Sequence, residues 1–177
     1  MDTLQMRKKK SIKLELTVNE KTRLKANKIK ISEVQSYAAD ELSQVLHVPL
    51  DRAVEFLALA EFQKISSIGI RFAQDLVSMG YHSIDQLKDK NGAKLTEDFE
   101  VLKGYWIDPC VEDQFRLAVY YANTADNSKN WWDFTAERKK YRLEKGYPPN
   151  RPIKPWYEAA GLIPKHIKKA ASVRIKS

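Results

Sequence analysis

The chain is 177 residues long and 43% apolar, with a formal net charge of +8 and one cysteine, which suits one buried core with appended arms rather than two full domains. No apolar stretch approaches the roughly 20 residues needed to cross a bilayer, because the longest candidates, residues 56–62 and 111–122, are broken by Glu, Gln and Arg. The lone Cys110 cannot form an internal disulfide, and Met-Asp followed by a lysine run is unlike a secretory signal, so a cytoplasmic protein without a membrane partner is expected.

Residues 1–16 read as a basic flexible arm in which Arg7, Lys8, Lys9 and Lys10 are consecutive. Ile12, Leu14, Leu16 and Val18 alternate like a strand. No partner strand is evident, so an extended segment docked on helices is expected. Asn19 is a plausible cap for a helix through Lys28, Ser32 caps a turn over 33–36, and helices follow over 38–46 and 50–63. The second carries an apolar stripe of Ala53, Phe56, Leu57, Ala60 and Phe62. A hairpin over 66–69 leads to a helix over 70–79 that Gly80 stops, and Ser83 caps a short helix holding Ile84 and Leu87. A helix over 93–102 ends at Gly104, then Asp108 as cap and Pro109 at the first position open a helix to about 122. Residues 123–130 form a polar linker, 131–143 a helix, and 148–155, with four prolines, an extended arm; the tail is basic.

The most informative run is Ile65-Ser66-Ser67-Ile68-Gly69-Ile70-Arg71-Phe72-Ala73. Two short helices joined by a tight turn need a glycine at the bend and leave the first amides of the second helix without internal partners. Those amides suit an anion, and a nucleic-acid phosphate can sit there with Lys64 or Arg71 adding charge and Ser66 or Ser67 a hydroxyl. The candidate nucleic-acid-binding residues are therefore Lys64, Ser66, Ser67, Ile68, Gly69, Ile70 and Arg71. The run resembles the helix-hairpin-helix signature through Ile68, Gly69 and Ala73, with Ser67 in place of its first glycine and Ser66 in place of its proline. A shift of twenty residues sets Val45, Val48, Ala53 and Phe56 on Ile65, Ile68, Ala73 and Leu76, and Pro49 on Gly69. That first copy carries Asp51 where Arg71 stands, which makes it a structural partner rather than a second phosphate grip.

The fold class is accordingly all-α, a compact bundle of short helices with helix-hairpin-helix (SAM-like) units. The expected organisation is an arm over 1–16, a domain with a degenerate first hairpin over 17–126, a C-terminal helix and Pro-rich arm over 127–160, and a basic tail over 161–177.

Further stretches carry a wider resemblance: Leu59-Ala60-Glu61-Phe62-Gln63, Gly80-Tyr81, Gly104-Tyr105-Trp106-Ile107-Asp108-Pro109-Cys110 and Trp131-Trp132-Asp133-Phe134. Together these look like the bacterial pathogenicity-locus (Cdd) family of helix-hairpin-helix proteins, over roughly residues 17–157. The resemblance implies a fold and a bacterial origin, and no catalytic residues.

Charge is unevenly spread. Residues 1–30 hold ten Lys or Arg against three acids, residues 31–126 eight against sixteen, and residues 127–177 thirteen against four. The ends are basic and the middle acidic, so long-range attraction for a polyanion is assigned to the arms. Cys110 lies in the first turn of a helix, where the dipole can lower a thiol's pKa. Glu112 and Asp113 oppose that, and no histidine is spaced as a base, so a small packed residue is the preferred reading. His47, His82 and His166 offer no metal-ligand spacing. Glu97, Asp98 and Glu100 read as a solvated helix face. Trp131, Trp132 and Phe134 beside Arg138, Lys139, Lys140 and Arg142 could stack and attract single strands, or pin the helix to the core; Arg138, Lys139, Arg142 and Lys145 suggest a basic stripe. No catalytic apparatus, metal or cofactor is expected. The expected function is sequence-independent binding of DNA, or of RNA, through the hairpin, with a protein-interaction adaptor as the alternative.

Overall fold

The structure, a computed structural model, describes residues 11–161. Most of the expected basic arm and nearly all of the basic tail lie outside the described residues. The described residues are all-α: α1 (Val18–Ala26), α2 (Ala39–Leu46), α3 (Leu50–Phe62), α4 (Ile70–Ser78), α5 (Gly92–Lys103), α6 (Pro109–Thr124), α7 (Thr135–Lys145) and α8 (Trp156–Ala159). Short 3-10 segments cover Ile31–Ser36, Ile84–Leu87 and Trp131–Phe134, and no strand occurs among the described residues. Their backbone contacts divide the chain into one unit of Met1–Asp89 with Tyr120–Asn130 and another of Lys90–Val119 with Trp131–Ser177. The units meet in sequence at 89/90, 119/120 and 130/131.

In the first unit the alternating segment docks on α3, as its apolar residues require. Leu16 is buried, and Lys13 exchanges both backbone bonds with the Gln63 side chain, its N–H donating to Oε1 at 3.0 Å and its carbonyl accepting from Nε2 at 2.7 Å. The cap of α1 is Thr17 and not Asn19. Thr17 Oγ1 accepts from the Glu20 N–H at 3.2 Å while Glu20 Oε2 accepts from the Thr17 N–H at 2.7 Å, the reciprocal pairing that a threonine three residues before a glutamate makes possible.

Helix α3 packs between α2 and α4. That position explains why its burial is wider than one stripe: Ala58 and Leu59 are buried along with Ala53, Phe56, Ala60 and Phe62, while Leu57 is only partly covered. α4 ends as expected, with Gly80 at φ +88° and the Tyr81 N–H reaching back to the Leu76 carbonyl at 3.1 Å.

In the second unit α5 ends at Gly104, at φ +72°, and Asp108 caps α6 by accepting from the Cys110 N–H at 2.9 Å. A Cβ on Gly92 would lie 2.7 Å from Arg116 Cγ and 2.9 Å from its backbone, so the start of α5 needs glycine to approach α6. Expectation and structure part over the acids. Glu100, Glu112 and Asp113 are buried, with about 1% exposure each. Arg151 binds both oxygens of Glu100 at 2.7 and 2.8 Å, Arg138 binds both of Asp113 at 2.7 and 3.2 Å, and Arg142 bridges Glu112 and Glu97 at 2.8 and 2.9 Å. Arg116 holds the other oxygen of Glu112. Burial disfavours the Arg142 charge, and bonds with Glu97 and Glu112 outweigh it, so its pKa stays above the ordinary arginine value.

Two expectations are corrected by this network. Of the supposedly solvated face of Glu97, Asp98 and Glu100, only Asp98 is exposed, paired with Lys94. The α7 basic stripe loses Arg138 and Arg142 to internal ion pairs, leaving Lys139 and Lys145 exposed. The Pro-rich stretch is likewise not a free arm. The Trp106 N–H donates to the Lys154 carbonyl and the Trp156 N–H to the Trp106 carbonyl, both at 2.8 Å, and the Arg151 guanidinium lies 3.5 Å from the Tyr147 ring centroid.

Removing one partner of a buried pair leaves the other charge uncompensated. Arg142→Ala is therefore expected to lower unfolding free energy by about 3–5 kcal/mol in a urea titration, whereas Lys139→Ala, on an exposed side chain of the same helix, should change it by less than about 0.5 kcal/mol.

Candidate functional site

The connection between α3 and α4 is built inward from two aliphatic anchors. Ile65 and Ile68 are fully buried and fix the turn on the core. The sharp reversal falls on Ser67, at φ +54°, and not on Gly69, whose φ −100° and ψ −179° are extended backbone that any residue adopts. The expected bend glycine is thereby corrected. A Cβ added at Gly69 would meet nothing within 4 Å. Neither conformation nor packing requires glycine there, and the small residue leaves open access to the start of α4.

No side chain caps α4, and its first turn holds no acid. The N–H groups of Ile70 and Arg71, standing in that first turn, have no carbonyl one turn back inside the helix. Lys64 and Arg71 are exposed on either side of the turn in sequence. A positive helix end, two cations and unobstructed backbone can accept an anionic oxygen.

The other candidates are placed differently. Ile68 is a packing residue, fully buried because its side chain anchors the turn. Ser66 is already engaged: its hydroxyl donates to Asn130 Oδ1 at 2.8 Å and its N–H to Asn127 Oδ1 at 2.6 Å. Its expected role as a hydroxyl donor to phosphate is corrected to that of a brace. Ser67 is half-buried in the left-handed conformation. The exposed residues of the turn are thus Lys64, Gly69 and Arg71, with Ile70 half-buried beside them.

Asn127 and Asn130 were read only as polar linker. Asn127 Nδ2 also donates to the Lys64 carbonyl at 2.9 Å, so this one amide clamps both sides of Ile65. The linker is itself held by Asp126, which accepts from the Tyr120 hydroxyl and from the Ser128 N–H. Asn and Asp in a polar stretch signal local capping, but nothing in their spacing names a partner some sixty residues away.

The twenty-residue repeat is visible in the backbone. His47 and Ser67 have φ +49° and +54°, Pro49 and Gly69 stand at the N-caps of α3 and α4, and the Ala53 and Ala73 N–H groups donate to the Pro49 and Gly69 carbonyls at 3.2 and 3.1 Å. The copies diverge at the helix start. In α3 the Asp51 carboxylate accepts from the Arg52 N–H at 2.9 Å, so its N-terminus already carries negative charge.

Elsewhere, burial first, then the hydrogen bond with Asp108 and that residue's charge, push the Cys110 thiol up to about 12. A thiol so disposed is a poor nucleophile at neutral pH. Trp131 is half-buried and Trp132 is 52% exposed, their rings edge to face at 5.3 Å. Among the described residues no three His, Cys, Asp or Glu side chains cluster as metal ligands, and no helix is long and apolar enough to cross a membrane.

Hydrogen bonds from Tyr120 and Ser128 hold the Asp126 carboxyl down at about 2. With the folded value below the unfolded one, its stabilisation is present above pH about 4 and lost as pH falls through about 2. In acid titrations followed by circular dichroism, the wild-type advantage over Asp126→Asn is expected to hold from pH 7 to 5 and to vanish near pH 2.

Comparison with known proteins adds a family. The family model described as "Pathogenicity locus" (Cdd1) matches residues 56–140, less than the 17–157 over which the resemblance was read. The chain is similar to "Mitomycin resistance protein McrB" of Streptomyces lavendulae, at 27% identity over 88 residues that cover 50% of this chain and 83% of that protein. No solved structure matches. Residues 56–140, which run from within α3 through the turn, α4, α5 and α6 into α7, are the stretch that is similar to the pathogenicity-locus family model.

Proposed function

We propose that this protein binds nucleic-acid backbone without sequence preference, taking a phosphate at the start of α4 as a helix-hairpin-helix element would. The observation that carries this reading is the uncapped, acid-free N-terminus of α4 with open space over Gly69. Lys64 and Arg71 supply charge, and the braces from Asn127 and Asn130 hold the turn in advance of binding. Contacts of this kind position the protein and carry no base information. DNA is the preferred ligand and RNA backbone offers the same chemistry.

A second reading, a protein-docking adaptor, is favoured by Trp132, Leu143 and Ile153, which are 52%, 88% and 95% exposed. Pull-down from nuclease-treated lysate separates the two, since partners that persist without nucleic acid support the adaptor.

The site allows an unusually clean test. A Cβ at position 69 would meet nothing within 4 Å and aspartate is a good N-cap, so Gly69→Asp is expected to leave stability unchanged or raise it by a few tenths of a kcal/mol. The same change fills the anion site with a carboxylate. In fluorescence-anisotropy titrations of labelled single- and double-stranded DNA it should weaken binding about tenfold. Arg71→Ala should flatten the salt dependence by roughly one unit of slope. Equal affinity of wild type and Gly69→Asp at every salt concentration would remove the hairpin from the account.

A further inference from the structure

The first unit holds a second feature, apart from the turn. Between α1 and the segment that follows it lies an open cavity of about 340 Å³, lined by Leu16, Leu24, Ile29 and Ile31 and by Lys21, Lys25, Lys28 and Lys30. The first three of those aliphatic residues are buried and form its floor, whereas all four lysines are exposed. Among the described residues no carboxylate lines it. Lys30 shares its charge with Glu33 at 3.4 Å, so Lys21, Lys25 and Lys28 dominate the rim.

Two features of this rim run against local stability. Lys21 and Lys25 stand four apart on α1, a like-charge spacing that destabilises a helix. Lys28 has φ +57° at the end of α1, where its N–H donates to the Lys25 carbonyl and the Ile29 N–H to the Leu24 carbonyl. That six-residue closure ordinarily takes glycine, because a side chain is strained in the left-handed region. The strained residue and the crowded charges border the same cavity, which is where strain retained for binding is found.

We infer that this cavity binds a small amphiphilic anion, an acyl or aryl body carrying a carboxylate, sulfonate or phosphate. The aliphatic floor takes the body and the lysines take the headgroup. The volume lies at the small end of ligand pockets, so the occupant is a free monomeric molecule. A nucleic-acid strand is the poorer fit, since backbone phosphates need charge and have no use for an aliphatic floor.

The test titrates the full chain with anilinonaphthalene sulfonate, followed by its fluorescence, and then displaces it with dodecanoate below its micellar concentration. Saturable binding displaced by dodecanoate is expected, weakened about three- to fivefold by Lys25→Gln and unchanged by Gly69→Asp. Lys28→Gly is the diagnostic variant: relief of strain should raise Tm by about 3 °C while affinity falls. Probe affinity unchanged in both lysine variants would overturn the inference. So would displacement by inorganic phosphate or a 12-nucleotide DNA as readily as by dodecanoate, or binding to phosphatidylglycerol vesicles without binding of the monomeric probe.

Discussion

A carboxylate taken out of water must meet a cation or hydrogen-bond donors with good geometry, since the residual cost of burying an ion is several kcal/mol. In the unit of residues 90–119 and 131–161 this constraint governs the arrangement of the chain. Glu100, Glu112 and Asp113 lie beneath the surface of α5 and α6, and each is met by an arginine from further along: Arg151, Arg142 and Arg138. Every buried side-chain nitrogen and oxygen among the described residues has a partner. The segment after residue 130 is held to α5 and α6 through these pairs, and Arg151 stacks on Tyr147 along its way.

The same pairs resolve an electrostatic objection to a polyanionic ligand. By segment, residues 31–126 are strongly acidic and residues 127–177 strongly basic, as if the centre would repel what the ends attract. In the folded unit several of those acids and bases neutralise one another internally, so segment totals do not describe the surface. Local backbone then matters more. The two turns share a left-handed residue, His47 or Ser67, two positions before the N-cap, yet α3 begins with Asp51 bonded to its own first turn and α4 begins acid-free. One duplicated element has a closed end and an open one.

Much of this architecture was legible because it is local. Helix ends at Gly80, Gly104 and Asp108, and the all-α class, follow from capping chemistry and apolar period, and the twenty-residue shift sets His47 on Ser67, both left-handed. Period alone misjudged α3, which is covered on two sides. What could not be read was long-range pairing. Nothing local ties Glu100 to Arg151 or Ser66 to Asn130, and an arginine in an ion pair has the same letter as one facing solvent. At the candidate site the run 64–71 marks the turn between α3 and α4, but not the division of labour in which Ser66 and Ile68 support it while Gly69 and Arg71 stay exposed.

The central claim concerns backbone amides, so amides should report on it. Titrating isotope-labelled full-length protein with a short DNA duplex and following amide chemical shifts by NMR reads each N–H separately. The account predicts that the resonances of Gly69, Ile70 and Arg71 move first and furthest within residues 11–161, and that raising salt reverses the shifts. Movement confined to other residues, with these three unchanged at saturation, would contradict it and leave the turn a structural joint.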